Sequence, residues 1–334
     1  MSALNFKDRS RPSFIEVSEQ ESGQRIDNYL FKRFKDLPKT LIYRIIRKGE
    51  LRINKGRVKQ TTRIEAGDLI RLPPLQTGST VPLKQGVGPA PIATQDILFE
   101  DDVLMVLNKP SGLAVHAGSG IKHGLIESLR ASRTDLRYLE LVHRLDRPTS
   151  GCLVLAKRAS ALRALHSDFQ SGSLRSGRLK KVYLCMVEGH WRGGERRVER
   201  ALNTQSRRGG ERHVSVHGDG QYACSIFRPL SKSAKASLME VQILTGRTHQ
   251  VRVHAVAEGH AIAGDDRYGA EEFNSLAKKL GLSRLFLHAH EISFVHPVTE
   301  TRMSFIAPLP QNLYTVLDKV GLDIPSILQQ SIAQ

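Results

Sequence analysis

Residues 139–156 read LELVHRLDRPTSGCLVLA. Two apolar runs, Leu139–Val142 and Cys152–Ala156, enclose a loop built of charged residues, a histidine and turn formers. Runs of this length between turn signals read as strands. A loop anchored at both ends in core strands is a good frame for a rigidly held carboxylate, and Asp146 is its only acid. Asp, Pro, Ser and Gly are also ordinary residues of a strand-connecting turn. The loop alone does not choose between these two readings.

Working outward, DILFEDDVLMVLNKP (96–110) predicts two strands around an acidic turn. GCLVLAK (151–157) and KVYLCMVEG (181–189) predict strands on either side of a helix at SALRALHSDFQ (160–170). Further strands are expected at YACSIFRPL (222–230), ASLMEVQIL (236–244), LFLHA (285–289), EISFVHP (291–297) and RMSFIAPL (302–309), with a helix from Thr248 to Glu258. The segment RRGGERHVSVHGDGQ (207–221) reads as a polar, mobile loop. Short strands dominate, so the expected class is α+β with a mixed, largely antiparallel sheet.

The first part of the chain has a different pattern. Residues 1–13 are polar and expected to fray. In the unit expected over 14–74, Ile26, Leu30 and Phe34 recur at helical spacing, and Pro38 ends that helix. A second helix from Thr40 to Lys48 places Leu41, Ile42, Ile45 and Ile46 on one face, with Gly49 as its cap. LRIN, a turn through Asn54, Lys55 and Gly56, and RVKQ form a hairpin; TRIEAGDLIRLPP adds a last strand. Residues 75–93, rich in Gly, Pro, Ser and Thr, are expected to be a linker to a domain over 94–320, with a tail over 321–334.

The chain of 334 residues carries 50 Lys and Arg against 33 Asp and Glu, a net charge of +17. That excess favours a polyanionic partner, because neutralising phosphates releases condensed counterions. Between Lys39 and Arg63 stand nine basic residues (Lys39, Arg44, Arg47, Lys48, Arg52, Lys55, Arg57, Lys59 and Arg63) and one acid, Glu50. A solvated helix face usually mixes its signs; this one does not, and it points to RNA contact. The 14–74 unit holds 14 basic and 8 acidic residues and 94–334 holds 32 and 24, so both carry positive charge toward RNA. No apolar run approaches the ~20 residues that span a bilayer, and MSALNFKDRSRPSF lacks a secretory h-region. The expected location is cytoplasmic, with no membrane partner. Cys152, Cys185 and Cys224 lack metal-ligand spacing and read as buried reduced thiols.

A second polar cluster, TGRTHQVRVH (245–254), could begin a helix at Thr245 or Gly246 with Arg247, Gln250 and His254 three to four residues apart. An arginine beside a carboxylate loop would orient that carboxylate and keep it ionised. His143, His249, His254 and His288 form no HExxH or comparable set, which favours structural or RNA-contacting histidines over metal ligands. Lys180, Lys181 and Tyr183 open a strand, and an aromatic beside lysines could stack a base, although a tyrosine there is more often a core edge.

Taken in order, HRLDRPTSG, KKVYLCMVEG and TGRTHQVRVH resemble the signature motifs of the RluA family of pseudouridine synthases, supported by NKPSGLAVH, GDDRYG and RLFLHA over residues 94–310. Residues 22–72 resemble an S4 domain, a small α-L-like RNA-binding module. Pro148, Cys185 and Val251 depart from the residues common in the family. The resemblance implies isomerisation of uridine to pseudouridine in 23S or pre-ribosomal large-subunit RNA. No metal and no small-molecule cofactor are implied, since nothing is oxidised and no group enters from outside, and the expected form is a monomer. It implies Asp146 as the catalytic carboxylate, Arg247 as its ion-pair partner and Tyr183 stacked on the base. Arg144, beside His143, would fill the space left by an extruded uridine. A base-excising glycosidase using the same carboxylate, and an RNA-binding factor with a silent second domain, are the competing classes. A Ser/His hydrolase is excluded for want of a GxSxG elbow.

Overall fold

The computed structural model describes residues 12–34, 39–74, 96–116, 124–171, 177–206, 212–323 and 325. The expected frayed N-terminus, Pro38 and the linker lie outside or almost wholly outside them, as does most of the expected tail. The chain divides into two compact units, Met1–Gly86 and Val87–Gln334. No helix among the described residues is long and apolar enough to cross a membrane.

In the first unit, β1 (Ser13–Glu16), α1 (Ile26–Arg33), α2 (Lys39–Lys48), β2 (Arg52–Ile53), β3 (Gly56–Arg57) and β4 (Leu69–Leu72) form two helices and a sheet of order β1-β4-β2-β3. The helical stripes do what their spacing requires: Ile26, Leu30, Phe34, Ile42, Ile45 and Ile46 are all buried in one core. Asn54 and Lys55 take positive φ, 49° and 69°, as a tight two-residue hairpin turn demands. The Asn54 side chain then accepts from the Leu69 amide at 2.9 Å and donates to Asp68 at 2.7 Å, tying hairpin to final strand.

The second unit comprises β5 (Ile97–Glu100), β6 (Leu104–Lys109), α3 (Leu125–Ser132), β7 (Glu140–Leu141), β8 (Ser150–Ala156), α4 (Ala159–Ser171), β9 (Leu179–Glu188) and β10 (Arg196–Glu199). It continues through β11 (Leu202–Ser206), β12 (Arg212–Val216), β13 (Cys224–Lys232), β14 (Ala236–Ile243), α5 (Gln250–Ala257), α6 (Glu271–Lys279), β15 (Leu287–Val295), β16 (Arg302–Ile306) and α7 (Gln311–Lys319). The large sheet runs β10-β13-β14-β9-β15-β8-β6-β5, with β16 beside β15 and β7 beside β8. Only the β15–β8 pairing is parallel; the others are antiparallel. The fold is α+β.

Core lies on both faces of this sheet. Met105, Leu107, Leu153 and Leu155 point into one cluster, covered by α3, α5, α6 and α7. Their alternates Leu104, Val106, Cys152 and Val154 point into another, covered by α4. Burial on both faces is why the central strands read as unbroken apolar runs rather than alternating ones. All three cysteines are buried free thiols.

Four sequence expectations are corrected. LFLHA and EISFVHP form one strand, β15, interrupted by a bulge between Ala289 and Glu291. The segment taken as a mobile loop contains β12, which pairs residue for residue with β11; residues 207–211 lie outside the described set. The helix after the second cluster starts at Gln250, not Thr245 or Thr248. Helices α3, α6 and α7 were not anticipated, although Phe273 and Ala277 of α6 carry the i, i+4 signal.

One glycine sets how closely strands approach beside the 143–149 loop. Gly151 has φ +109°, and a Cβ there would lie 2.2 Å from the Ala289 carbonyl oxygen of β15. Gly151→Ala combines left-handed strain with overpacking and should cost about 3 kcal/mol or more, read as a lower urea midpoint at unchanged m.

Candidate active site

The loop 143–149 is fastened from behind. Leu145 is buried in the main core, and the Thr149 amide donates to the Asp146 carbonyl at 3.1 Å, closing a turn over Arg147 and Pro148. Val154 of β8 donates its amide to His143 Nε2 at 3.1 Å. The 108–113 loop clasps the turn: Ser111 Oγ donates to the Pro148 carbonyl at 2.6 Å, and Gly112 exchanges bonds with the backbone and side chain of Arg147. The wholly buried Lys109 donates to the carbonyls of Pro110, Leu113 and Arg147 at 2.8, 2.9 and 3.3 Å. Burial, then the nearby Arg284, pull its ammonium down to about 7, while Asp146 acts the other way. Arg284 donates to Ser150 Oγ at 2.7 Å. His288 takes the Ser150 hydroxyl on Nδ1 at 2.8 Å and gives Nε2–H to the Ala307 carbonyl at 3.0 Å.

These braces leave the Asp146 side chain facing a hollow, 19% exposed. Its Oδ2 lies 3.6 Å from Arg252 Nη1 and 3.7 Å from His249 Nε2, ion-pair separations longer than hydrogen bonds. Arg252 is the third residue of α5 and is held from its other edge. Its Nε and Nη2 donate to the two Asp265 oxygens at 2.7 and 2.6 Å, a bidentate fork. Asp265 Oδ1 also accepts the amides of Arg267 and Tyr268, and the Tyr268 ring lies 5.1 Å under the guanidinium. Burial alone would raise the Asp265 carboxyl, but the Arg252 fork and the two amides hold it below the ordinary range.

His249 takes φ 55° at the start of α5. Its Nδ1 meets the Tyr268 hydroxyl at 2.8 Å, and that hydroxyl accepts the Val214 amide of β12 at 3.0 Å. With the hydroxyl donating to Nδ1, the neutral imidazole carries its proton on Nε2, the nitrogen nearer Asp146. Tyr183, on β9 opposite Ala289 and Val241, is 9% exposed, and burial followed by the Asp146 charge raises its phenol above the usual range. Two adjoining hollows of about 60 and 270 Å³ share Asp146, Tyr183, Arg144 and Arg247 as walls.

The structure thus brings Asp146, Tyr183, Arg144, His143 and Arg247 to one place, but reassigns one of them. Arg247 makes no ion pair with Asp146; its Nε donates to the Tyr222 carbonyl at 3.0 Å. The pairing belongs to Arg252, because Arg247 precedes the helix and is exposed while Arg252 is carried inward by it. His143 stacks on Phe169 at 5.0 Å, and burial and Lys181 hold its imidazole at about 3. His254 is also internal, bonded to Ser225 and Arg200. Sequence reasoning missed Arg252, His249, Asp265, Lys109 and Arg284. A signal for Arg252 was present: in QVRVHAVA one arginine stands among valines and alanines with no acid in the segment, so a buried arginine there requires an acid from elsewhere. In the first unit, Arg44, Arg47, Lys48, Lys55, Arg57 and Lys59 are exposed and Arg52 is half-buried, while the Lys39 side chain lies outside the described set.

A bracketed carboxylate sharing a hollow with a buried tyrosine, in a chain that also carries a basic two-helix module, is consistent with an RNA-directed enzyme, and comparisons with known proteins agree. A family model described as RNA pseudouridylate synthase matches residues 103–257, and an S4 domain model matches 24–70. Ribosomal large subunit pseudouridine synthase C of Haemophilus ducreyi is 45% identical over 92% of this chain and 95% of its own. Its counterpart from Escherichia coli K12 is 44% identical over 92% and 96%. Among solved structures, human RNA pseudouridylate synthase domain containing 4 superimposes with TM-score 0.54 at 25% identity, covering 70% of this chain and 95% of its own. The chain belongs to the RNA pseudouridylate synthase family. It is an RNA pseudouridine synthase, an isomerase, with an N-terminal S4 domain.

Replacing Arg252 with Met strands Asp265 in the core and should cost about 3–5 kcal/mol. Arg247→Met, at an exposed site, should stay within about 0.5 kcal/mol. Paired chemical denaturation curves would check this ordering.

Proposed function

We propose that this protein isomerises specific uridines in the 23S RNA of the large ribosomal subunit, with Asp146 as the catalytic carboxylate acting on an extruded nucleotide. The observation that carries the reading is the placement of that carboxylate, between Arg252 and His249 and facing a hollow floored by Tyr183. The named activity of the relatives supports the substrate.

The reaction breaks N1–C1′, turns the uracil, joins C5 to C1′ and moves the C5 proton to N1. Atoms balance without any external group. A carboxylate against the ribose serves either of two openings: attack at C1′, or removal of the C2′ proton toward a glycal. Arg252 and His249 orient it for both. Tyr183 stacks on the base and limits its movement once detached. Arg144, exposed at the rim, enters the gap left in the RNA, because a stacked uridine hides C1′ and C5 from any side chain. The unstacking energy, a few kcal/mol, is offset by phosphate contacts from the S4 module and the catalytic unit. The protein works in this reading as a cytoplasmic monomer over 94–320, with 14–74 gripping RNA.

Asp146→Asn should lower product formation at least about a thousandfold while RNA affinity stays within about twofold, measured by pseudouridine mapping and filter binding. Free uracil released by the unaltered protein would instead mark a glycosidase. Replacing Arg44, Arg47 and Arg57 together with Gln should weaken RNA binding and flatten its log–log salt dependence by about 2–3. An unchanged slope would remove that face of the S4 module from the interface.

A further inference from the structure

Two lysines are buried in the described part of the molecule, Lys109 and Lys181. Lys109 has its three carbonyl acceptors. Lys181 has none: among the described residues no carboxylate or carbonyl lies within bonding distance of its ammonium. The side chain is only 6% exposed, and its one contact of note is the face of Phe169, 5.5 Å from Nζ to the ring centroid. Its neighbour Lys180, on the opposite face of β9, pairs with Glu291 at 2.9 Å. A largely buried ammonium with no partner among the described residues, open at its tip, is costly and needs a reason. Burial alone accounts for the ammonium being pulled down to about 8, with no acid raising it.

Its position supplies the reason. Lys181 and Tyr183 alternate on β9 and so project from one face of the sheet, one pleat apart. Both line the larger hollow of about 270 Å³, in which Asp146 is the only acid and Arg144, Arg247 and Lys181 supply three cations. The ammonium sits 3.6 Å from where a side chain on Gly246 would begin, so the glycine leaves the approach to it open. Among the described residues the Arg247 side chain is engaged only through Nε, by the Tyr222 carbonyl. Uracil in an intact nucleotide is neutral. The anions that a uridine brings beside its own sugar are the phosphates on its 5′ and 3′ sides.

We propose that Lys181, with Arg247 at its mouth, forms an anion subsite beside Asp146 that takes a backbone phosphate flanking the extruded uridine. The proposal rests on the reading of Asp146 and Tyr183 given above. Seating that phosphate fixes the ribose against the carboxylate, so the subsite sets both affinity and register. The RNA supplies the counter-charge that the folded protein withholds.

The test uses the full-length protein and a short RNA containing one uridine that the protein is first seen to isomerise; failure at that step counts against the proposed function and not against the subsite. Two further RNAs carry a neutral methylphosphonate 5′ or 3′ of that uridine. One of them should bind the unaltered protein roughly ten- to hundredfold more weakly. Lys181→Met should lose the same factor on the all-phosphate RNA and lose nothing more on the neutral one, while Lys181→Arg restores most of the affinity. Lys181→Met should leave Tm unchanged or raise it, since a largely buried charge without a partner is removed; a structural strut would lower it. The subsite is wrong if neither methylphosphonate changes the Kd of the unaltered protein by more than about twofold, or if the two losses multiply. It is equally wrong if Lys181→Met keeps its Kd and slows only the single-turnover rate, which would place the cation on the detached uracil instead.

Discussion

One guanidinium is shared by two inward-facing carboxylates, with the exposed Asp266 a third at 3.5 Å from Nη2. Asp265 grips the Nε–Nη2 edge of Arg252, and Asp146 faces the remaining Nη1. A bidentate fork has a defined plane, so the Asp265 grip determines where the third nitrogen points. The direction of the Asp146 carboxylate is therefore set two residues away from it. Arg252 can be buried because the Asp265 fork, with lesser help from Asp146 and Asp266, neutralises it. Asp265 in turn is tolerable because the amides of Arg267 and Tyr268 complete its bonding.

The rest of the second unit serves the same requirement from the other side. Backbone carbonyls of the 146–149 turn are engaged by Lys109 and Ser111, and Ser150 by Arg284. The parallel pairing of β8 with β15 brings Gly151 against Ala289, a contact open only to a residue without a side chain. Two independent frameworks, one behind the loop and one in α5, thus converge on a single side chain. Such convergence holds a carboxylate in place before substrate arrives, which is where an enzyme without external reagents gains its rate. The His249–Tyr268–Val214 chain extends the bracing to the β11–β12 hairpin.

The strands of the core and both helices of the first unit were legible because burial stamps its period on the sequence, as Ile26, Leu30 and Phe34 show. The bulge that merges two apparent strands at Ala289–Glu291 left no such mark, since bulges arise from pairing with a distant partner. β12 escaped notice because its residues are mostly polar and it pairs with β11 outside the large sheet. In the site, the residues alone leave the Asp146 loop open between a turn and a carboxylate frame, and Tyr183 and Arg144 take their roles only through the family resemblance; the structure lines one hollow with all three. Arg247 alone was singled out and Arg252 was passed over, because the spacing of the cluster does not say where a helix begins. His249 in a left-handed conformation delays the start of α5 to Gln250, and that register decides which arginine turns inward.

The account stands on Asp265 acting on catalysis through Arg252. The most direct measurement is the single-turnover rate of Asp265→Asn at saturating RNA, with folding checked by circular dichroism. An amide cannot offer the fork two anionic oxygens, so the rate should fall about a hundredfold while RNA affinity is retained. A folded Asp265→Asn protein that isomerises uridine at the unaltered rate would contradict the account.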